Sequence, residues 1–278
     1  MDTLARLGSA LAAHYEVKKE IGAGGMATVF LARDIKHDRD VAIKVLHPDL
    51  GAALGAERFL SEIKTTAKLQ HPHILSLIDS GEADTLLYYV MPFVVGESLR
   101  QRMDREGQLP VNEAIRIARE VSGALDYAHR NGVVHRDIKP ENVMLQEGEA
   151  VVMDFGIGKA VSVAANDTLT QTGTVVGTPA YVSPEQAAGE PRIDGRSDQY
   201  SLACVLFEMI SGKKPFTGPT AQSVISKRFT DPVPSLRTAF EKTPDEVEMA
   251  VLKALSRDAS ERFATTVEFA RALVASHL

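Results

Sequence analysis

The run His135-Arg136-Asp137-Ile138-Lys139-Pro140-Glu141-Asn142 sets an acid, basic side chains and an amide at fixed steps along one short stretch, and Asp154-Phe155-Gly156 follows after an apolar run. Two carboxylates and an amide offer the hard oxygen ligands that Mg²⁺ takes. A lysine two residues from an acid can neutralise phosphate charge while the acid orients a hydroxyl and accepts its proton. The set suits gripping two metal ions and a triphosphate while a hydroxyl attacks.

Such side chains need elements to hold them. Residues 3–13 read as a short helix. Tyr15-Glu16-Val17, Thr28 to Ala32 and Val41 to Leu46 read as strands, broken by glycines and by the polar turn Lys36-His37-Asp38-Arg39. A helix is expected over 55–69, with Phe59, Ile63 and Ala67 on one face. Ile74 to Ile78 and Thr85 to Val90 read as two more strands. After Gly96 the pattern turns helical. Residues 111–130 space Ile115, Ala118, Val121, Leu125 and Ala128 along one face, with Pro110 near the start. Further helices are expected near 196–211, 220–229, 244–256 and 264–276. Lys159 to Ser183 lacks apolar periodicity and is rich in threonine, which marks a functional loop.

Composition excludes several classes. The 278 residues are 44% hydrophobic and 24% charged, an ordinary globular chain with room for one large domain or two lobes. A net charge of −6 gives no basic excess for nucleic acid or an anionic membrane. Cys204 is the one cysteine, so no intrachain disulfide forms, as in a reducing compartment. It sits in an apolar run and reads as packing; that run falls well short of the ~20 residues that cross a bilayer. The N-terminus lacks a basic segment followed by an apolar core, which argues against a signal peptide. His71 and His73 flank Pro72 and could suggest a metal.

Gly22-Ala23-Gly24-Gly25-Met26-Ala27 lies between two strands. Glycines let backbone N–H groups approach phosphate oxygens. A plain hairpin turn is the simpler reading. A dinucleotide-binding turn fails because a strand follows, not a helix. Lys44 interrupts apolar neighbours in a strand: an exposed strand lysine, or a cation for phosphates held by the helix carboxylate of Glu62.

Taken together these stretches resemble a eukaryotic-like bacterial serine/threonine protein kinase, over Tyr15 to about Leu273. The glycine-rich loop, strand lysine, helix glutamate, H-R-D-x-K-x-x-N and D-F-G stand in the family's order. Ser183-Pro184-Glu185 matches A-P-E with Ser for Ala, Asp198-Gln199-Tyr200-Ser201-Leu202 resembles the family's D-x-Y-S-L helix, and Arg262 falls where an arginine pairs with the Glu185 position. The resemblance implies an α+β, two-lobed fold: a helical extension over 1–14, a mainly β N-lobe over 15–94 with one main helix, and a mainly α C-lobe over 95–278 with an activation segment over 154–185.

The resemblance also assigns roles. Asp137 orients the substrate hydroxyl and takes its proton, Lys139 and Lys44 neutralise phosphates, and Glu62 holds Lys44. Asn142 and Asp154 hold Mg²⁺, with Mn²⁺ as an alternative. ATP lies against Ile21, Gly22, Ala23, Gly24, Gly25, Met26, Ala27, Val29 and Ala42, with Met144 beneath the adenine. Met91, Pro92 and Val94 form the hinge. Ala27 replaces the third loop glycine, and Pro92 replaces the commoner Glu; proline keeps its C=O, and Val94 supplies the N–H. Lys139 and Thr178 favour serine/threonine protein substrates.

Regulation is implied too. Arg136 beside the catalytic Asp calls for an anion from the activation segment, with Lys159 as a second basic contact. Thr170 and Thr172 are the expected autophosphorylation sites, and a homodimer would serve that reaction. The expected location is cytoplasmic, either alone or as the cytoplasmic kinase domain of a longer membrane receptor; no membrane segment and no nucleic-acid partner are expected. The rivals are a pseudokinase scaffold, which needs a lost Lys, Asp or Asn, and a small-molecule kinase, against which the S-P-E segment argues.

Overall fold

The computed structural model describes residues 3–155 and 179–273. The described chain divides into two compact units, one of residues 3–70 and 75–95, the other of 71–74, 96–155 and 179–273.

The smaller unit is built on a five-stranded antiparallel sheet of order β1-β2-β3-β5-β4. Its strands are β1 (Tyr15–Ala23), β2 (Ala27–Asp34), β3 (Arg39–Leu46), β4 (Asp79–Ala83) and β5 (Leu86–Pro92). Side chains alternate across a sheet, and both faces are covered. Val41, Ile43 and Val45 pack with Phe30, Val90 and with Leu7 and Leu11 of helix α1 (Thr3–Leu11). Ala42 and Leu46 face the other way, onto Leu87, Tyr89 and Met91 and onto Phe59 and Ile63 of helix α3 (Ala56–Thr66). Burying one such leucine or phenylalanine contributes about 1.5–3 kcal/mol. Period-2 apolar residues on two covered faces explain why β3 reads as a nearly continuous apolar run.

Three expectations need correction here. Ile74 to Ile78 is not a strand: Ile74 forms an isolated parallel bridge to Val152, and the strand begins at Asp79. The helix expected over 55–69 is preceded by a separate short helix, α2 (Pro48–Leu54), with Gly55 at φ +77° between them. Ala67 is exposed, whereas Thr66 is buried with Phe59 and Ile63, its hydroxyl bonding back to Glu62 O at 3.3 Å.

The larger unit is mainly helical. Helix α4 (Leu99–Glu106) opens on a Ser98/Gln101 capping box. Helix α5 (Val111–Arg130) follows Pro110 and buries Ala114, Ile117, Ala118, Val121, Leu125 and Ala128; Ile115 is only half-buried. A small sheet of β6 (Glu97–Ser98), β7 (Val143–Gln146) and β8 (Glu149–Val152) lies beside it. Then come α6 (Pro184–Ala187), α7 (Gly195–Ser211), α8 (Ala221–Thr230), α9 (Leu236–Ala239), α10 (Asp245–Ala254) and α11 (Thr266–Ala272).

Helix α7 is buried nearly all round, as a helix at the centre of a helical unit must be. Burial pushes the Cys204 thiol up to about 12, so it stays a neutral packing group. His71 and His73 both make contacts within the larger unit. The His71 ring lies 5.4 Å from that of Tyr127, and His73 Nδ1 donates to Ala150 O at 2.8 Å. Among the described residues no helix is long and apolar enough to cross a membrane.

Candidate active site

The chemistry-bearing loop is fixed from below by one buried carboxylate. Asp198 of α7 is fully buried. It accepts the N–H of His135 at 2.8 Å, the N–H of Arg136 at 2.7 Å and Nε2–H of His129, on α5, at 2.7 Å. Burial pushes its pKa up, but the hydrogen bond and charge of His129 and the Arg136 N–H outweigh that and hold it below the usual value. His129 fits because α7 starts with glycine: a Cβ on Gly195 would sit 2.4 Å from His129 Nδ1.

That anchor holds an unusual backbone. Arg136 takes φ +67° and Asp154 φ +66°, conformations that cost a side-chain-bearing residue about 1–3 kcal/mol and persist where neighbours over-determine them. Arg136 is clamped at both ends, its N–H on Asp198 and its carbonyl accepting from Gln186 Nε2 at 2.9 Å. His135 is an internal support. Its Nε2 donates to Met153 O at 2.7 Å, and Nδ1 accepts from Asp137 N at 3.2 Å. A carbonyl can only accept, so the ring is the neutral Nε2–H tautomer. The Phe155 ring meets it edge-on at 4.7 Å.

On this base three side chains converge. Lys139 Nζ lies 2.7 Å from Asp137 Oδ2. Asn142 Nδ2 donates to Asp137 O at 2.8 Å and to Oδ2 at 3.1 Å. Asp137 Oδ2 is thus held twice, and Oδ1 has no protein partner among the described residues. The Asn142 NH₂ is spent on Asp137, so of its side-chain groups the amide oxygen is the one left to accept. The N–H of Met153 donates to Asn142 O at 2.9 Å, tying Asn142 to the strand end that carries Asp154. An amide oxygen and a carboxylate on adjoining backbone form a donor set that fits a hard divalent cation.

The smaller unit carries the other expected site residues. Ile21, Gly22 and Ala23 end β1, Gly24, Gly25 and Met26 form the turn, and Ala27 and Val29 begin β2. Gly24 N–H donates to Ala27 O at 2.9 Å, and His47 Nε2 lies 2.8 Å from Gly24 O. Lys44 is in register with Val29 and Tyr89, and alternation puts it on the face of β3 that α3, with Glu62, covers. Met91 pairs with Ala42 and Pro92 with Val41, and Val94 follows the end of β5. Met144 is on β7 of the larger unit, in register with Ser98. Lys159, Thr170, Thr172 and Thr178 lie outside the described residues.

Sequence reasoning missed His129, which lies far from Asp198 along the chain and carries no local signal. It found Glu185 and Arg262: their side chains pair at 2.7 and 2.8 Å, buried, with Ser197 Oγ donating to Glu185 at 2.5 Å.

Residues 15–273 match the protein kinase domain family, and the chain belongs to that family. It has the kinase fold, with a five-stranded antiparallel sheet in one unit and a helical second unit. Kinases of this family use ATP and a divalent metal. The chain is 42% identical to serine/threonine-protein kinase PknB of Mycolicibacterium smegmatis over 274 residues, covering 96% of this chain and 43% of the relative. It is 42% identical to PknB of Mycobacterium tuberculosis over 276 residues, covering 97% and 44%. It is 39% identical to serine/threonine-protein kinase PrkC of Bacillus subtilis over 261 residues, covering 93% and 40%. The chain therefore spans less than half the length of these relatives.

Proposed function

We propose that the chain is a serine/threonine protein kinase that transfers the ATP γ-phosphate to protein hydroxyls. The observation that carries this is the Asp137–Lys139–Asn142 cluster, in which one carboxylate oxygen is held by a cation and an amide while the other is left for a ligand. Asp137 Oδ1 accepts the proton of the attacking hydroxyl, and its partners on Oδ2 fix the carboxylate plane. Lys139 sits beside it to meet γ-phosphate charge. Lys44, steadied by Glu62, meets the α- and β-phosphates, and the N–H groups of Gly22 to Ala27 cover them. Asn142 Oδ1 and Asp154 are the ligands for Mg²⁺, which Mn²⁺ could replace. Bound Mg²⁺ neutralises charge on the phosphates. Ile21, Val29, Ala42, Met91, Pro92 and Val94 of the smaller unit are its adenine contacts. The retention of Lys44, Asp137, Asn142 and Asp154 supports an active enzyme over a scaffold. A single buried cysteine and dependence on ATP suit work in the cytoplasm.

The test is phosphate transfer from labelled ATP to a generic protein. The expected result is transfer that requires Mg²⁺, stops with a chelator, and falls by about 10²–10⁴ in Asp137→Asn, the size of a general-base contribution. No transfer by the wild-type chain, or undiminished transfer by the variant, overturns the proposal.

A further inference from the structure

Residues 181–185 are anchored from α7 and Arg262. Ser201 Oγ donates to Tyr181 O at 2.7 Å, and Ser183 Oγ meets Ser197 Oγ at 2.9 Å. Ser197 Oγ also donates to Glu185, which pairs with Arg262. Ser183 and Gln186 close a capping box at the start of α6. Gln186 N–H donates to Ser183 Oγ at 3.3 Å, and Ser183 N–H donates to Gln186 Oε1 at 3.3 Å. That uses the oxygen of the Gln186 amide. The nitrogen leaves the segment: Nε2 donates to Arg136 O at 2.9 Å.

Arg136 O accepts no other hydrogen bond among the described residues, and its peptide unit leads into Asp137. The N–H of that same unit belongs to Asp137 and donates to His135 Nδ1 at 3.2 Å. A peptide unit is planar, so Gln186 and His135 fix it at both ends and orient the backbone from which the Asp137 side chain projects. Arg136 holds φ +67°, a left-handed conformation that persists where neighbours over-determine it. An amide suits this double duty, because its oxygen accepts while its nitrogen donates. A glutamate would serve the capping box equally well, but it would set an acceptor against the Arg136 carbonyl.

We propose that Gln186 is a positioning residue for Asp137: through Arg136 O it couples the anchored segment 181–185 to the backbone that carries Asp137. The proposal rests on the kinase reading above. The experiment measures kcat, the ATP and protein-substrate KM values and Tm for wild type, Gln186→Glu and Gln186→Lys, in the full chain at matched phosphorylation. Gln186→Glu keeps the cap and loses the donor. Its kcat should fall about 10–10²-fold, with both KM values and Tm unchanged. Gln186→Lys keeps a donor for the carbonyl and loses the cap acceptor, so it should retain most of kcat with a lowered Tm. A helix-capping role alone predicts wild-type kcat in Gln186→Glu, and that result overturns the proposal. So does a joint loss of kcat, KM and Tm in both variants, which would make Gln186 a residue of general stability. A wild-type chain that transfers no phosphate overturns the kinase reading, and this proposal with it; an active wild type separates the two.

Discussion

At the scale of single residues, the Glu185–Arg262 pair shows how a buried ion pair is made tolerable. Arg262 is 4% exposed, and every nitrogen is used: Nε on Ser256 O, Nη1 on Glu185 and Arg196 O, Nη2 on Glu185 and Arg257 O. Its guanidinium also stacks 4.9 Å from the Tyr200 ring centre. Burial pushes the Glu185 pKa up, but Arg262 and Ser197 more than offset that and hold it below the usual value. A depressed carboxylate contributes stability that is present above its unfolded pKa and is lost as pH falls through the folded one. Arg262→Met should therefore cost about 3–5 kcal/mol at neutral pH, because it strands a buried carboxylate. In that variant the Glu185 pKa rises, so the deficit should shrink as pH is lowered and Glu185 protonates. Urea denaturation of wild type and variant across the acid range measures both effects. A deficit that does not change with pH would assign the loss to packing.

At the scale of elements, α7 is the part that turns sequence into a site. It carries Asp198 beneath the loop, Ser197 and Ser201 beneath residues 181–185, and Glu208, which pairs with Arg100 of α4 at 2.9 Å. Its first residue sets its distance from α5, so Gly195→Ala is a test of the element. The added methyl would meet the His129 ring, an overpacking cost of about 1–3 kcal/mol. The variant should fold with lowered Tm, and kcat should fall more than the ATP KM changes, because His129 and the Asp198 anchor are displaced together. Equal kcat in a well-folded Gly195→Ala chain would show that the loop does not depend on this contact. The same contacts explain what was legible beforehand. Asp137, Asn142 and Asp154 could be read because their chemistry is local in sequence. His129 could not, because only folding brings it to Asp198. Ile74 to Ile78 looked like a strand by its apolar spacing, yet the ladder to β5 is made by Asp79–Ala83, a segment of poor strand propensity that pairs because of where it lies. Helix α2 has seven residues and an internal glycine, too short for a periodic signal.

At the scale of the whole molecule, the open question is when the site works. Arg136 has its main chain clamped on both sides, but its Nε is buried without a hydrogen-bond partner among the described residues. A cation in that state favours any conformation that brings it an anion. Threonine phosphorylation supplies about −1.5 to −2 charges and strong acceptors. The threonine-rich stretch with Thr170 and Thr172 belongs to the segment between Asp154 and Glu185, outside the described residues. If one copy phosphorylates another there, activation is bimolecular. Dephosphorylated chain should then show a lag in substrate phosphorylation that shortens as enzyme concentration rises. Preincubation with MgATP should remove the lag. The Thr170→Ala/Thr172→Ala double variant should stay at the initial slow rate, about tenfold or more below the activated chain, while Arg136→Ala should remove the difference between phosphorylated and unphosphorylated forms. A double variant that reaches full rate, or a lag independent of enzyme concentration, would exclude this switch. A lag that persists in Arg136→Ala would move the phosphate's partner elsewhere, with Lys159 the next residue to substitute.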